Sequence, residues 1–186
     1  EAGRTDWTAQ IADLPELLAA GRSEVHTDSP SRSAETHNHM PDAIRALMRS
    51  TRSELLITNA YIIPDANFMA DLRELGERGV KVRILTNSLA SHDVPAVNSH
   101  YEKWREPILA TGAQLFELRS DAEMRGELAE IAPLRGEFVG LHTKAMVIDR
   151  QRSFIGSMNL DPRSEILNSE MGVIVDSPPL AEKLAE

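Results

Sequence analysis

Six residues between positions 142 and 159 have the types and the spacing of a site that handles phosphate. They follow the pattern H-x-K-x4-D-x6-G-S-x-N and are His142, Lys144, Asp149, Gly156, Ser157 and Asn159. Histidine can attack phosphorus or shuttle a proton near neutral pH, and lysine supplies a point charge for phosphate oxygens. Each residue alone has a structural explanation, such as turn formation by Gly-Ser-x-Asn. The joint pattern, however, predicts a phosphodiester site.

Two short predicted strands carry these residues. Ala145–Ile148 and Ser153–Gly156 are apolar and partly β-branched, and three polar residues, 150–152, separate them. Short apolar runs on either side of a polar connection are typical of neighbouring strands joined by a tight turn. The sequence therefore places the candidate site at the ends of two adjacent strands.

The alternation of side chains along a strand indicates which of the six residues can act together. Residues i and i+2 share a face, so His142 and Lys144 should project together, and so should Ser157 and Asn159. Asp149 lies an odd number of residues from His142 and should face away. We therefore expect Asp149 to have a scaffold role, contacting backbone or a nearby cation, and the other four to line one pocket.

Helices and strands alternate from residue 41 onward. Spacing of apolar residues and helix-end signals predict helices at 41–50, 67–78, 96–111 and 179–186, and strands at 54–60, 80–86, 113–118 and 171–175. Strands separated by helices of this length predict an α/β domain with a mixed, largely parallel sheet. Residues 1–40 include a Ser-, Thr-, Asp- and Pro-rich stretch from Gly21 to Met40, so we expect a linker there and a folded lobe over 41–186.

Composition limits the remaining possibilities. The chain has 186 residues, 41% of them hydrophobic, which is enough for one domain with a sizeable core. It has no cysteine, which excludes disulfides and thiolate metal sites. No apolar run approaches the roughly 20 residues that span a bilayer. Because the chain has no initiator Met and ends inside a predicted helix, we expect it to be a piece of a longer protein.

Two further groups of polar residues are candidate sites. His37-Asn38-His39 has two possible metal ligands, but no carboxylate or third ligand lies at a helpful spacing, so no metal site is expected there. The loop after the predicted strand 80–86 carries His92 and Asp93. Loops at the carboxyl ends of parallel strands often bind ligands, although a simple exposed loop explains these residues equally well.

The motif and its surroundings resemble the second half of bacterial cardiolipin synthases and related members of the phospholipase D superfamily. The similar segments beyond the motif are Val80–Leu89, Val97–Leu109, Leu115–Leu118 and Asn159–Ser164. The resemblance implies a lobe with an α/β/α sandwich fold, no metal and no cofactor. It also implies a phosphohistidine formed on one histidine while a second histidine, from another copy of the motif, protonates the leaving group. It assigns Glu170, just before the strand at 171–175, to hold the His142 ring.

The motif occurs once, whereas the family builds a site from two copies. The resemblance therefore implies the second catalytic lobe of a phosphatidyltransferase or phospholipase, completed by a missing N-terminal lobe or a second copy of the chain. Its substrate would be a phospholipid of the phosphatidylglycerol or phosphatidylethanolamine class, met as a peripheral protein at the cytoplasmic side of the bacterial inner membrane. The alternatives are a homodimeric nuclease or phosphodiesterase and an inactive ligand-binding lobe. The net charge of −9 weighs against nucleic acid.

Overall fold

The computed structural model describes residues 18–29, 38–91, 94–119 and 140–186, together with Thr8, Ile11 and Ala12. Its strands are β1 (Arg22–Thr27), β2 (Glu54–Asn59), β3 (Lys81–Asn87), β4 (Gln114–Leu118), β5 (Lys144–Ile148), β6 (Arg152–Gly156) and β7 (Met171–Asp176). Its α-helices are α1 (Met40–Arg49), α2 (Ala66–Glu77), α3 (Pro95–Tyr101), α4 (Arg105–Leu109), α5 (Pro162–Ile166) and α6 (Pro178–Ala185). A 3-10 turn, Glu102–Trp104, divides the helix that was predicted over 96–111.

The seven strands form one mixed sheet in the order β1-β7-β6-β5-β2-β3-β4. The predicted α/β class and mixed sheet are confirmed, but the expectation of a largely parallel sheet is wrong. Only the β2–β3 and β3–β4 pairs are parallel, and the other four pairs are antiparallel. Helices connect β2 to β3 and β3 to β4, which provides the crossovers that parallel neighbours need, whereas a tight turn joins β5 to β6.

The hairpin between β5 and β6 sets the position of the motif. Asp149 and Arg150 both have φ of +52°, and the Gln151 amide donates to the Ile148 carbonyl at 2.9 Å. Positive φ at both central residues is the signature of a type I′ turn, whose twist suits a β-hairpin. This turn returns the chain so that the start of β5 and the end of β6 lie at the same edge of the sheet.

Most of the core lies between one face of the sheet and helices α1 and α2. Strand residues such as Leu55, Ile84 and Met146 pack there against helix residues such as Ile44 and Leu72, all nearly inaccessible to solvent. The buried carboxylate of Asp71 joins the two helices through ion pairs to two arginines of α1, at 2.8 and 2.7 Å. The resulting rigid layer supports the strands that carry the motif.

Helix α6 contacts β5 and β6. Met146 and Phe154 face the core, so their neighbours Val147 and Ser153 face the other side of the sheet. Val147 and Ser153 are buried as well. The helix therefore covers part of the second face of the sheet. This arrangement places helices on both faces of β5 and β6, as expected for an α/β/α sandwich.

The segment expected to be a linker contains a strand. Residues 22–27 form β1, which pairs antiparallel with β7 along its whole length. Five of its six side chains are exposed, so its sequence lacks the apolar alternation that reveals a strand, and backbone hydrogen bonding holds it in place.

Candidate functional site

His142 and Lys144 lie side by side where the chain enters β5. The Lys144 Nζ is 3.3 Å from the His142 Nδ1 and donates to the His142 carbonyl at 2.8 Å. This confirms the prediction that the two side chains project together. An ammonium group can only donate, so any hydrogen bond between the two side chains runs from Nζ to Nδ1. The imidazole is exposed, whereas Lys144 is only 6% accessible, so a fixed positive charge stands beside an accessible ring.

Ser157 belongs to a second group of polar side chains, at the end of β6. Its hydroxyl donates to one carboxylate oxygen of Glu170, and the Asn168 amide donates to the other oxygen at 2.9 Å. The Ser157 amide donates to the Met171 carbonyl at 2.9 Å. This bond fixes the serine against the start of β7, so Glu170, only 7% accessible, is held by its neighbours in the fold.

The expected hydrogen bond between Glu170 and the His142 ring is wrong for this structure. Within the described part of the chain, the Glu170 carboxylate is bound by Ser157 and Asn168, and the partner of the His142 ring is Lys144. The reason is local, because Ser157 lies next to the start of β7 and Asn168 is only two residues from Glu170. Glu170 therefore contacts the motif through its serine rather than through its histidine.

The two groups lie at one edge of the sheet. The β5–β6 register pairs Ala145 with Ile155, so the next step towards the edge brings Lys144 opposite Gly156, directly before Ser157. Gly156 is required there, because a Cβ on this residue would stand 2.6 Å from the Phe154 ring and 2.7 Å from the Met171 carbonyl oxygen. The β5–β6 pairing thus places the serine group beside the strand end that carries the histidine group, and the close approach of β6 and β7 holds the serine there.

Asn159 is the remaining donor of the motif. Its Oδ1 is buried and has no hydrogen-bond partner among the described residues. The side chain lines a groove of about 510 Å³, together with Asn168, Val97, His100 and Arg163 among others. A buried polar atom without a partner is costly, so Asn159 is available to a ligand that enters this groove.

Asp149 lies at the opposite end of β5 and has the scaffold role expected for it. Its carboxylate accepts hydrogen bonds from the backbone amides of Arg52, Ser53 and Glu54, with the shortest distance 2.7 Å. Partial burial acts to raise the pKa of Asp149, but these bonds outweigh it and hold that pKa below its ordinary value of 3.8. About five residues of strand, roughly 16 Å, separate it from Lys144. Asp149 therefore supports the turn at the far end of β5 and lies away from the other motif residues.

Two buried polar residues next to the motif were missed by the sequence analysis. Asn59 pairs with Lys144 across β2 and β5, and its amide donates to the Met158 carbonyl at 3.3 Å. Asp28 follows β1, and its carboxylate accepts from the amides of Glu170 at 3.1 Å and Met40 at 2.9 Å. Single Asn and Asp residues at strand ends usually indicate turns, so no sequence signal marked either one.

The other candidate sites lie only partly within the described residues. Asn38 donates to the carbonyl of Glu165 at 2.9 Å, whereas His37, His92 and Asp93 lie outside the described residues. Across the described residues, no group of three or more histidine, aspartate and glutamate side chains is placed to hold a metal ion. Within the same residues, no helix has the length and apolar character needed to cross a membrane.

Comparison with known proteins identifies the family. A family model described as "Cardiolipin synthase, PLD-like domain" matches residues 44–186. The chain is 35% identical to cardiolipin synthase C of Escherichia coli over 172 residues, which is 91% of this chain and 36% of that protein. The chain thus spans about a third of this relative's length. The fold and the motif define a phospholipase D-like domain, and the chain belongs to the cardiolipin synthase family of such domains.

Solved structures show the same fold. Nuc from Salmonella typhimurium, a phospholipase D family member, superposes with a TM-score of 0.60 at 21% identity, with 89% of this chain and 90% of that chain covered. Phosphatidylserine synthase from Haemophilus influenzae superposes with a TM-score of 0.61 at 16% identity, with 91% of this chain and 37% of that chain covered. At these identities the likeness supports the fold alone.

Proposed function

We propose that this chain is one catalytic lobe of an enzyme that transfers or hydrolyses the phosphatidyl group of a phospholipid through a phosphohistidine. The observation that carries the proposal is the contact between His142 and Lys144 at the edge of the sheet, in a chain of the cardiolipin synthase family. An accessible imidazole beside a buried ammonium group is suited to bind a phosphodiester and to react with it.

The chemistry follows from these groups. One histidine nitrogen attacks phosphorus, the bond from phosphorus to the leaving oxygen breaks, and that oxygen takes a proton from a second histidine. Water or a lipid hydroxyl then attacks the phosphohistidine, gives its proton to the second histidine, and releases the product. Lys144, Ser157 and Asn159 stabilise the charge on the phosphate oxygens. With Nδ1 facing Lys144, Nε2 is the ring atom of His142 that meets substrate, in either of the two histidine roles.

The second histidine must come from another lobe. The sequence carries one copy of the motif, and the chain covers 90% of the Nuc chain but 37% of the phosphatidylserine synthase chain. Lobes of this size thus occur both as nearly a whole chain and as part of a longer one. The family match favours the second arrangement, in which a further lobe of the same protein completes the site, and pairing of two copies is the alternative.

The family match favours a phospholipid, and the charge balance weighs against nucleic acid. The chain has 29 acidic and 20 basic residues, whereas a nucleic-acid track usually has a surplus of lysine and arginine along one surface. The similarity to cardiolipin synthase C supports phosphatidylglycerol or phosphatidylethanolamine as the donor. Such donors are membrane lipids, so the proposal places the protein as a peripheral enzyme at the cytoplasmic face of the bacterial inner membrane.

The test is turnover of phosphatidylglycerol vesicles by the intact protein that carries this chain, with and without phosphatidylethanolamine. We expect cardiolipin or phosphatidic acid as product, and we expect His142→Ala to abolish its formation. His39→Ala is the matched control, because His39 is an exposed histidine of the same lobe that makes no side-chain cap to α1. Equal turnover by His142→Ala and wild type would refute the proposal.

A further inference from the structure

Asn87, the last residue of β3, holds the backbone next to His142. Its Nδ2 donates to the Leu141 carbonyl at 2.9 Å, and its Oδ1 accepts from the Leu141 amide at 2.7 Å. The side chain therefore binds both polar groups of the residue that precedes the motif histidine, as a neighbouring strand would. Asn87 is 1% accessible and lies within the fold rather than in the groove.

The same amide group also binds the backbone at the end of β2. Nδ2 donates to the Ala60 carbonyl at 3.1 Å, and the Ala60 amide in turn donates to the Thr143 carbonyl at 3.1 Å. Residues on both sides of His142 are thus tied to one hydrogen-bonded unit formed by Asn87 and Ala60. Because β2 lies between β3 and β5 in the sheet, this unit reaches across the point where β2 ends.

The orientation of the Asn87 side chain is determined by its partners. Nδ2 faces two carbonyl oxygens, and Oδ1 faces the Leu141 amide and lies 3.2 Å from the Ser91 hydroxyl. Exchanging the nitrogen and oxygen would set donor against donor and acceptor against acceptor. An isosteric aspartate would lose both donors and direct a negative charge at two carbonyl oxygens, so asparagine has a specific role here.

We infer that Asn87 is a positioning residue for His142, which deepens and rests on the proposed function. It fixes the backbone on the amino side of His142, while Ala60 fixes it on the carboxyl side, so that the imidazole meets the phosphorus or the leaving oxygen at a set distance. Displacing a reacting group by about 1 Å can cost about 10²-fold in rate. Asn87 touches neither substrate nor the reacting atoms.

The test compares Asn87→Ala and Asn87→Asp with Asn98→Ala in the intact protein. Asn98 is an equally buried asparagine, 2% accessible, but its amide donates to Glu102 on the neighbouring turn and not to the motif segment. We expect both Asn87 variants to lower kcat about 10- to 100-fold with KM unchanged, and Asn98→Ala to keep the wild-type kcat. If Asn87→Ala does not fold, Asn87→Asp, which has the same size, carries the test.

A second readout does not depend on turnover. In protein labelled with 15N-histidine, the ring signals of His142 should shift or broaden in the Asn87 variants and stay unchanged in Asn98→Ala. Wild-type kcat and wild-type His142 signals in a folded Asn87 variant would overturn the inference, and so would an equal loss of kcat in Asn98→Ala. If His142→Ala itself keeps full activity, the proposed function fails, and the ring signals alone decide whether Asn87 positions His142.

Discussion

Replacing Asp149 should lower the free energy of unfolding without abolishing turnover. One carboxylate oxygen accepts from the Ser53 amide at 2.7 Å, the Ser53 hydroxyl at 2.8 Å and the Glu54 amide at 3.0 Å, and the other accepts from the Arg52 amide at 3.0 Å. These bonds join the start of β2 to the β5–β6 turn. The residue also has φ of +52°, a conformation that asparagine and glycine adopt more readily than alanine.

Three substitutions separate the contribution of the carboxylate hydrogen bonds from that of the positive φ. Asp149→Asn keeps one acceptor oxygen and the backbone preference but loses the charge, so it should cost about 1 kcal/mol, since solvent reaches the group. Asp149→Gly loses all acceptors but tolerates the positive φ, and should cost about 1–2 kcal/mol, as for a lost cap. Asp149→Ala adds the strain of the left-handed conformation, about 1 kcal/mol, so its cost should be about 2–3 kcal/mol.

Urea unfolding of the chain, followed by circular dichroism, measures these differences. Because the folded state depresses the pKa of Asp149, the stabilisation is present above the unfolded-state value of about 3.9 and is lost as the pH falls through the lower folded-state value. The gap in unfolding free energy between wild type and Asp149→Asn should therefore be full at pH 7, begin to narrow near pH 4, and close only below the folded-state pKa of Asp149. A wild-type urea midpoint for Asp149→Ala at pH 7, or loss of turnover by a fully folded Asp149→Asn, would refute the scaffold role.

Two further predictions concern the motif. Lys144→Met keeps the buried stem but removes the charge, so it should lower kcat about 10²-fold or more in a vesicle assay. Lys81→Met, at an exposed position of β3, should leave kcat unchanged. Equal effects of the two substitutions would contradict the role of Lys144. Gly156→Ala should destabilise the chain by about 1–3 kcal/mol, because its Cβ would meet the Met171 carbonyl oxygen at 2.7 Å. An unchanged urea midpoint for Gly156→Ala would show that β6 and β7 separate easily.

The sequence predicted the parts of the site that depend on local periodicity. Alternation along a strand was sufficient to pair His142 with Lys144. Asp149 is remote from them, as expected, but for another reason, because it lies in the turn at the far end of β5. The β5–β6 turn was visible as a polar interruption between two apolar runs. These features need no information about which strands become neighbours.

Features that depend on distant contacts were not predictable in this way. The two carboxylate oxygens of Glu170 are bound by Ser157 and Asn168, a choice that depends on how closely β6 approaches β7. β1 was missed because an exposed edge strand lacks an apolar face. The share of antiparallel pairs was underestimated, because β1 pairs with the distant β7 and β5 pairs with both β2 and β6, and the order of elements along the chain does not indicate these partners. Asn87 acts through a contact 54 residues along the chain, for which sequence spacing provides no signal.

The central claim, that His142 serves phosphodiester transfer from a phospholipid, is tested most directly by competition between substrates. The intact protein is given phosphatidylglycerol vesicles together with single- and double-stranded DNA, with EDTA present, and both lipid products and DNA fragments are measured. We expect cardiolipin or phosphatidic acid from the wild type, none from His142→Ala, and no DNA cleavage by either. DNA cleavage that disappears in His142→Ala, without any lipid turnover, would contradict the claim and establish the homodimeric nuclease instead.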